Sequence, residues 1–122
     1  MTTSPRLVHF AQNGAPKTIN TNRDDVVSGE VERNAWVHCV DPKSSLRFGY
    51  WDCSARVFNA DYDGITEFCH VLEGEAHVKD LTTGESFTVK AGDSFVLEAG
   101  LKTEWTIPIY IRKSFAITDV KG

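Results

Sequence analysis

From Ala35 onward, apolar and polar residues alternate in short runs. A period of two places successive side chains on opposite faces of a strand. The pattern predicts strands over 35–40 (AWVHCV), 46–53 (LRFGYWDC) and 56–60. It then predicts a hairpin over 66–78 (TEFCHVLEGEAHV) that turns at Glu73-Gly74-Glu75. Strands over 86–89, 94–98, 102–107 and 109–118 follow, with Pro108 interrupting the last two. Turn-forming residues separate these runs at Asp41–Ser44, Asp61–Gly64, Thr82–Gly84, Ala91–Asp93 and Ala99-Gly100. Glycines at 64, 74, 84, 92 and 100 recur every eight to ten residues, the punctuation of an all-β sandwich or barrel. No run of ten or more residues carries apolar positions at helical spacing.

The alternation also assigns faces. In 109–118 the odd positions are Ile109, Ile111, Lys113, Phe115 and Ile117, so Lys113 is the single charge on an apolar face. In 66–78, Glu67, Cys69 and Val71 share one face, and Phe68, His70 and Leu72 share the other. Both faces there are largely apolar, so alternation alone leaves the choice open. A charge inside a fold is costly unless it is paired. Glu67 and Lys113 therefore either satisfy each other or line a wet cavity, unless the lysine reaches out to the barrel mouth.

Residues 1–34 are expected to form an irregular arm of the same domain, because Pro, Gly and Asn break them too often for long elements. The apolar pairs Leu7-Val8 and Val26-Val27 are candidates for pairing at a sheet edge, or for crossing to a partner subunit. Residues 35–122 then form the barrel. The formal charge of −4 argues against a nucleic-acid partner. No apolar run approaches the ~20 residues of a membrane span, and no secretion signal is read at the N-terminus. Cys39, Cys53 and Cys69, three at wide spacing, fit free thiols in a reducing cytoplasm better than a disulfide framework or a zinc site.

Three stretches carry a resemblance. They are Gly49, Trp51 and Cys53; the run Glu67–Gly74 (EFCHVLEG); and Gly92 through Trp105, with Arg112-Lys113 after it. Over about residues 26–118 the chain resembles the cupin superfamily. More narrowly, it resembles the small single-domain cupins of the ethanolamine-utilisation (EutQ) type and those grouped with ureidoglycine aminohydrolase. The fold this implies is all-β, a double-stranded β-helix or RmlC-like jelly-roll barrel. Cupins of the general pattern hold a divalent metal with histidines and a glutamate. Here the glutamate position is Glu67, while the histidine positions fall on Ala60, Tyr62 and Thr103. One carboxylate does not hold a transition metal, so neither a metal nor another cofactor is expected. His9, His38, His70 and His77 do not repair the set, and the aminohydrolase ligands are also missing.

The cupin register implies an inward group of Trp51, Phe58, Tyr62, Cys69, Thr103 and Trp105 as ligand-binding residues around Glu67 and Lys113. The expected function is binding of a small polar metabolite in the barrel. The alternative is an enzyme using Glu67 and Lys113 as acid and base, or Glu67 in an unorthodox metal site. Cys69 reads as an inert buried thiol, because no base is placed to activate it. A homodimer is expected.

Overall fold

Three strands too long for one flat sheet organise the molecule. The computed structural model describes residues 5–10, 17–18, 26–29 and 33–120. Its strands are β1 (Lys17–Thr18), β2 (Val26–Gly29), β3 (Arg33–Val40), β4 (Arg47–Asp61), β5 (Ile65–Asp80), β6 (Ser86–Lys90), β7 (Ser94–Leu97) and β8 (Lys102–Asp119). At ~3.3 Å per residue, β4, β5 and β8 would each run about 50 Å or more if straight. Each is instead broken midway by a register shift: β4 at Ser54/Arg56, β5 between Val71 and His77, and β8 opposite both.

These bends fold one continuous set of ladders into two layers. The first halves of β4 and β5 and the second half of β8 pair in the order β1-β3-β4-β8-β5-β7, and the second halves of β4 and β5 and the first half of β8 in the order β2-β4-β8-β5-β6. All pairings are antiparallel, and the described residues include no helix. Two antiparallel layers sharing strands that switch sheets at bulges make the expected jelly-roll barrel.

The bends correct three expectations. Residues 46–53 and 56–60 belong to one strand, as do 102–107 and 109–118. The expected hairpin over 66–78 is also a single strand, β5. Gly74 sits at φ +76° there and bends the strand without reversing it. A Cβ at this position would collide with the Tyr110 carbonyl oxygen of β8, so only glycine lets the two backbones approach. The reversal comes later, at 81–85. Asp80 Oδ1 there accepts the backbone N–H groups of Thr82 (2.8 Å) and Thr83 (3.3 Å). Pro108 bends β8 in the same way as Gly74 bends β5, since it has no N–H to lose from the ladder. Its neighbour Ile109, expected on the core face, is therefore turned out and 81 % exposed.

Away from the bends the alternation holds. Cys69 and Val71 are fully buried while Phe68 and Leu72 are exposed, which settles the inward face of β5. With Cys53, Ala76, Ile107 and Ile111 they fill one part of the barrel solidly. Val26 pairs with Phe58, as the edge-pairing expectation for Val26-Val27 requires. Residues 5–10 form no strand, Leu7 is exposed, and the Phe10 ring stacks on His38 at 4.8 Å. The rest of the expected arm, and any exchange of it, lies outside the described residues.

Candidate functional site

The strand register brings the site together. On β8, Thr103, Trp105, Lys113 and Phe115 all point inward. Trp51 of β4 lies opposite Lys113, and Phe58 lies opposite Trp105. On the other side of β8, β5 sends in Glu67 and Cys69. Long and flexible, the Lys113 side chain runs along the interior until its Nζ stands 2.7 Å from Glu67 Oε2. The same ammonium donates to Cys69 Sγ at 3.2 Å, and Cys69 donates to Glu67 Oε2 at 3.2 Å. Two indole faces flank it, with Nζ 5.0 Å from the Trp51 centroid and 5.2 Å from that of Trp105.

Beside this cluster lies a cavity of about 410 Å³. Trp51, Phe58, Ala60, Tyr62, Glu67, Trp105 and Lys113 line it, together with the half-buried Ala35, Ile65 and Ile117. Six residues expected at the site (Trp51, Phe58, Tyr62, Glu67, Trp105 and Lys113) thus share one cavity. Cys69 and Thr103 do not reach its wall. Cys69 packs behind the Glu67–Lys113 pair, and Thr103 Oγ1 donates to the Ala60 carbonyl at 2.8 Å. The reading of 1–34 as an arm missed Arg33, which opens β3, is buried and lines the cavity. Its signal was the period of two: Arg33 stands two residues before Ala35, on the same face.

Glu67 and Lys113 are 8 % and 5 % exposed. Burial works against the Lys113 ammonium, but the Glu67 carboxylate outweighs it and holds the amine well above its ordinary range. At neutral pH Lys113 therefore stands beside Glu67 as a cation and hydrogen-bond donor. Cys69 is pushed up to about 12 by burial, against the pull of Lys113, and stays a thiol. Burial likewise pushes Cys53 up to about 11, against the pull of Arg56 and Arg33. The Tyr62 phenol is raised by burial, with Lys113 opposing. The Trp105 N–H lies near enough to Tyr62 to pull against that rise, yet it is buried without an acceptor in hydrogen-bonding geometry.

The residues at the cupin metal positions do not fit a metal. Ala60 offers no donor atom, Tyr62 keeps its proton, and the Thr103 hydroxyl is spent on a carbonyl. Glu67 is already neutralised by an ammonium that would stand against any second cation. Among the described residues no group of three or more His, Cys, Asp or Glu could hold a metal ion. His70 pairs with Ser94 (2.7 Å) and His77 with Thr88 (2.9 Å), both outside the barrel, while His38 stacks with Phe10 and packs edge-on against Tyr50.

The family model described as EutQ-like cupin domain matches residues 40–115, more than half of the chain. No curated protein sequence matches. Among solved structures, a protein of unknown function from Pseudomonas syringae pv. tomato DC3000 is similar with a TM-score of 0.75 at 24 % identity. That likeness covers 86 % of this chain and 45 % of the other, so this chain spans less than half of that protein's length. A putative ethanolamine utilization protein from Salmonella typhimurium LT2 gives 0.64 at 20 % identity, covering 88 % and 98 % of the two chains. A predicted oxalate decarboxylase from Thermotoga maritima gives 0.69 at 17 %, covering 94 % and 100 %. At such identities these structures speak for the fold alone. The match over 40–115, on a barrel whose interior is built around the glutamate of its first motif, shows that the chain belongs to the family of EutQ-like cupin domains.

Proposed function

We propose that this cupin binds a small polar metabolite in its barrel without the usual cupin metal. The observation that carries this reading is the Lys113 ammonium, 2.7 Å from Glu67 and held between two indoles. The one carboxylate left from the metal pattern is thereby committed to an internal cation. What remains beside it is an apolar-walled cavity with a few convergent polar groups, the usual make-up of a small-ligand site. Lys113 has three N–H donors and uses two, on Glu67 and Cys69. The third, with the Tyr62 hydroxyl and the Trp105 N–H, can meet acceptor atoms of a ligand.

A thermal-shift screen of small metabolites, run with and without EDTA, tests this. The expected result is stabilisation by at least one polar metabolite, unchanged by the chelator. Stabilisation that appears only with added divalent metal would refute it.

The same geometry narrows a catalytic reading. Lys113, protonated at neutral pH, would polarise a carbonyl oxygen, and Glu67 would move the proton. This reading needs a substrate on which Glu67→Gln and Lys113→Met each abolish turnover; full turnover in either variant ends it. Pairing of two copies is a further proposal. Phe68 (45 % exposed) and Val96 (54 %), registered opposite each other on β5 and β7, would give it an apolar face. A monomer mass by light scattering at micromolar concentration would oppose it.

A further inference from the structure

Trp51, Phe58 and Trp105 stand with ring centroids 5.9 to 6.3 Å apart and line one cavity with the Glu67 carboxylate. Aromatic faces beside a carboxylate ordinarily suit an ammonium ligand, since both attract a cation. Here the protein supplies that cation itself. Lys113 Nζ lies 2.7 Å from Glu67 Oε2, 5.0 Å from the Trp51 centroid and 5.2 Å from that of Trp105. With the place for a cation filled, the cavity still offers hydrogen-bond donors. Lys113 has one N–H beyond the two placed on Glu67 and Cys69. The Trp105 N–H belongs to a side chain only 1 % exposed and has no acceptor in hydrogen-bonding geometry. Tyr62, 6 % exposed, keeps its phenolic proton. All three gather at one indole, Lys113 over its face and Tyr62 near its N–H. Arg33 lies in the same wall and is engaged with other groups of the protein.

We propose that the cavity selects a flat ring compound bearing a carbonyl-type oxygen, with that oxygen on Lys113 Nζ and the Tyr62 hydroxyl and the ring against Trp51 and Phe58. The inference rests on the cavity being the ligand site and narrows what it takes. An sp2 oxygen has two lone pairs in its plane, so it accepts from the ammonium and the phenol together. Ketones, amides and carboxylates share this oxygen. A ligand that presents a hydrocarbon edge instead leaves the buried donors without an acceptor, which is costly. A ligand ammonium meets an occupied cation place and the like charge of Lys113. The volume of about 410 Å³ sits near the small end of ligand pockets, which suits one ring with a short substituent and not a nucleotide.

Ligand-observed NMR titration of the full chain with three probes of similar size tests this: acetophenone, α-methylstyrene and 1-phenylethylamine. The second puts a methylene group where the first has its oxygen, and the third puts an ammonium there. Acetophenone should bind tighter than α-methylstyrene by about tenfold or more, with 1-phenylethylamine weakest. Tyr62→Phe removes one hydroxyl and keeps the ring. It should weaken acetophenone by about threefold to tenfold and leave α-methylstyrene within about twofold. In Lys113→Ala the cation place is emptied, so n-propylammonium, the fragment removed, should raise the melting temperature of this variant and not of the wild type. Should Lys113→Ala not fold, the wild-type order and Tyr62→Phe decide. α-Methylstyrene or the amine binding as tightly as acetophenone overturns the inference while leaving the metal-free ligand site standing. Unchanged acetophenone affinity in Tyr62→Phe overturns it equally, as does stabilisation of the wild type by n-propylammonium. Where no probe binds, the hits of the metabolite screen decide: ligands without a carbonyl-type oxygen overturn the inference, and a blank screen ends both readings.

Discussion

Ile111 and Lys113 face the same interior from the same strand, two residues apart, yet their surroundings are opposite. Ile111 is fully buried among Cys53, Val71, Ala76 and Ile107, where nothing but shape and apolar contact holds it. Lys113 is almost as deeply buried, but it meets a carboxylate, a thiol and two indole faces beside an open cavity. One region of the barrel is packed to stay folded; the other spends stability to keep polar groups dry and aimed. A buried ion pair is weak evidence for stability, because hydrophobic residues of similar volume often do as well. Its presence at the cavity therefore points to use.

The contrast can be broken most severely at the pair. Lys113→Met leaves Glu67 buried without its cation and should lower unfolding free energy by about 3–5 kcal/mol in denaturant titration. Adding Glu67→Gln should recover much of that loss. A double variant no better than the single would show that the two charges are not coupled. On the apolar side, Ile111→Ala should cost about 2–4 kcal/mol through the cavity it leaves, with no change in ligand preference. A loss of ligand binding larger than the loss of stability would erase the division between the two regions.

A smaller effect separates them by pH. Lys113, Tyr62 and Cys69 all have folded values raised above their unfolded ones. For each, the folded chain keeps a proton that the unfolded chain releases, so stability must fall as pH rises. The contribution of Lys113 is complete below its unfolded value of about 10.4 and is lost as pH climbs toward the folded one. Melting temperature should therefore be flat from neutral pH to about 8.5, where the unfolded thiols begin to ionise, and decline above that. Lys113→Met should flatten the part of the decline above about pH 10. Melting temperatures that rise between pH 9 and 11 would contradict these directions. The smallest effect is expected at Ile109: exposed at the bend, Ile109→Thr should change stability by no more than about 0.5 kcal/mol.

Strand alternation made most of the barrel legible and put Lys113 on an apolar face, while the inward set of Trp51, Phe58, Tyr62 and Trp105 was legible only through the resemblance to cupins. It failed at the bends, for a physical reason. A glycine at positive φ looks the same in sequence whether it reverses a strand, as at Gly84, or only bends one, as at Gly74. What distinguishes them is the Tyr110 backbone lying against Gly74, a contact 36 residues away in the chain. Pro108 hides the same way, and with it the exposure of Ile109. The missing metal set was readable because alanine, tyrosine and threonine stand where ligands belong. The replacement, an ammonium reaching diagonally along the interior to Glu67, depends on side-chain reach that alternation does not encode. Arg33 was obscured by its setting among the breaks of the N-terminal region, although its phase with Ala35 already placed it inward.

The most direct test of the metal-free site is metal content. Protein purified without chelator and dialysed against manganese, zinc, iron or nickel should hold less than about 0.1 equivalent per chain by mass spectrometry, before and after Glu67→Gln. About one equivalent per chain that disappears in Glu67→Gln would put a metal where Lys113 now holds the carboxylate, and would contradict the reading at its centre.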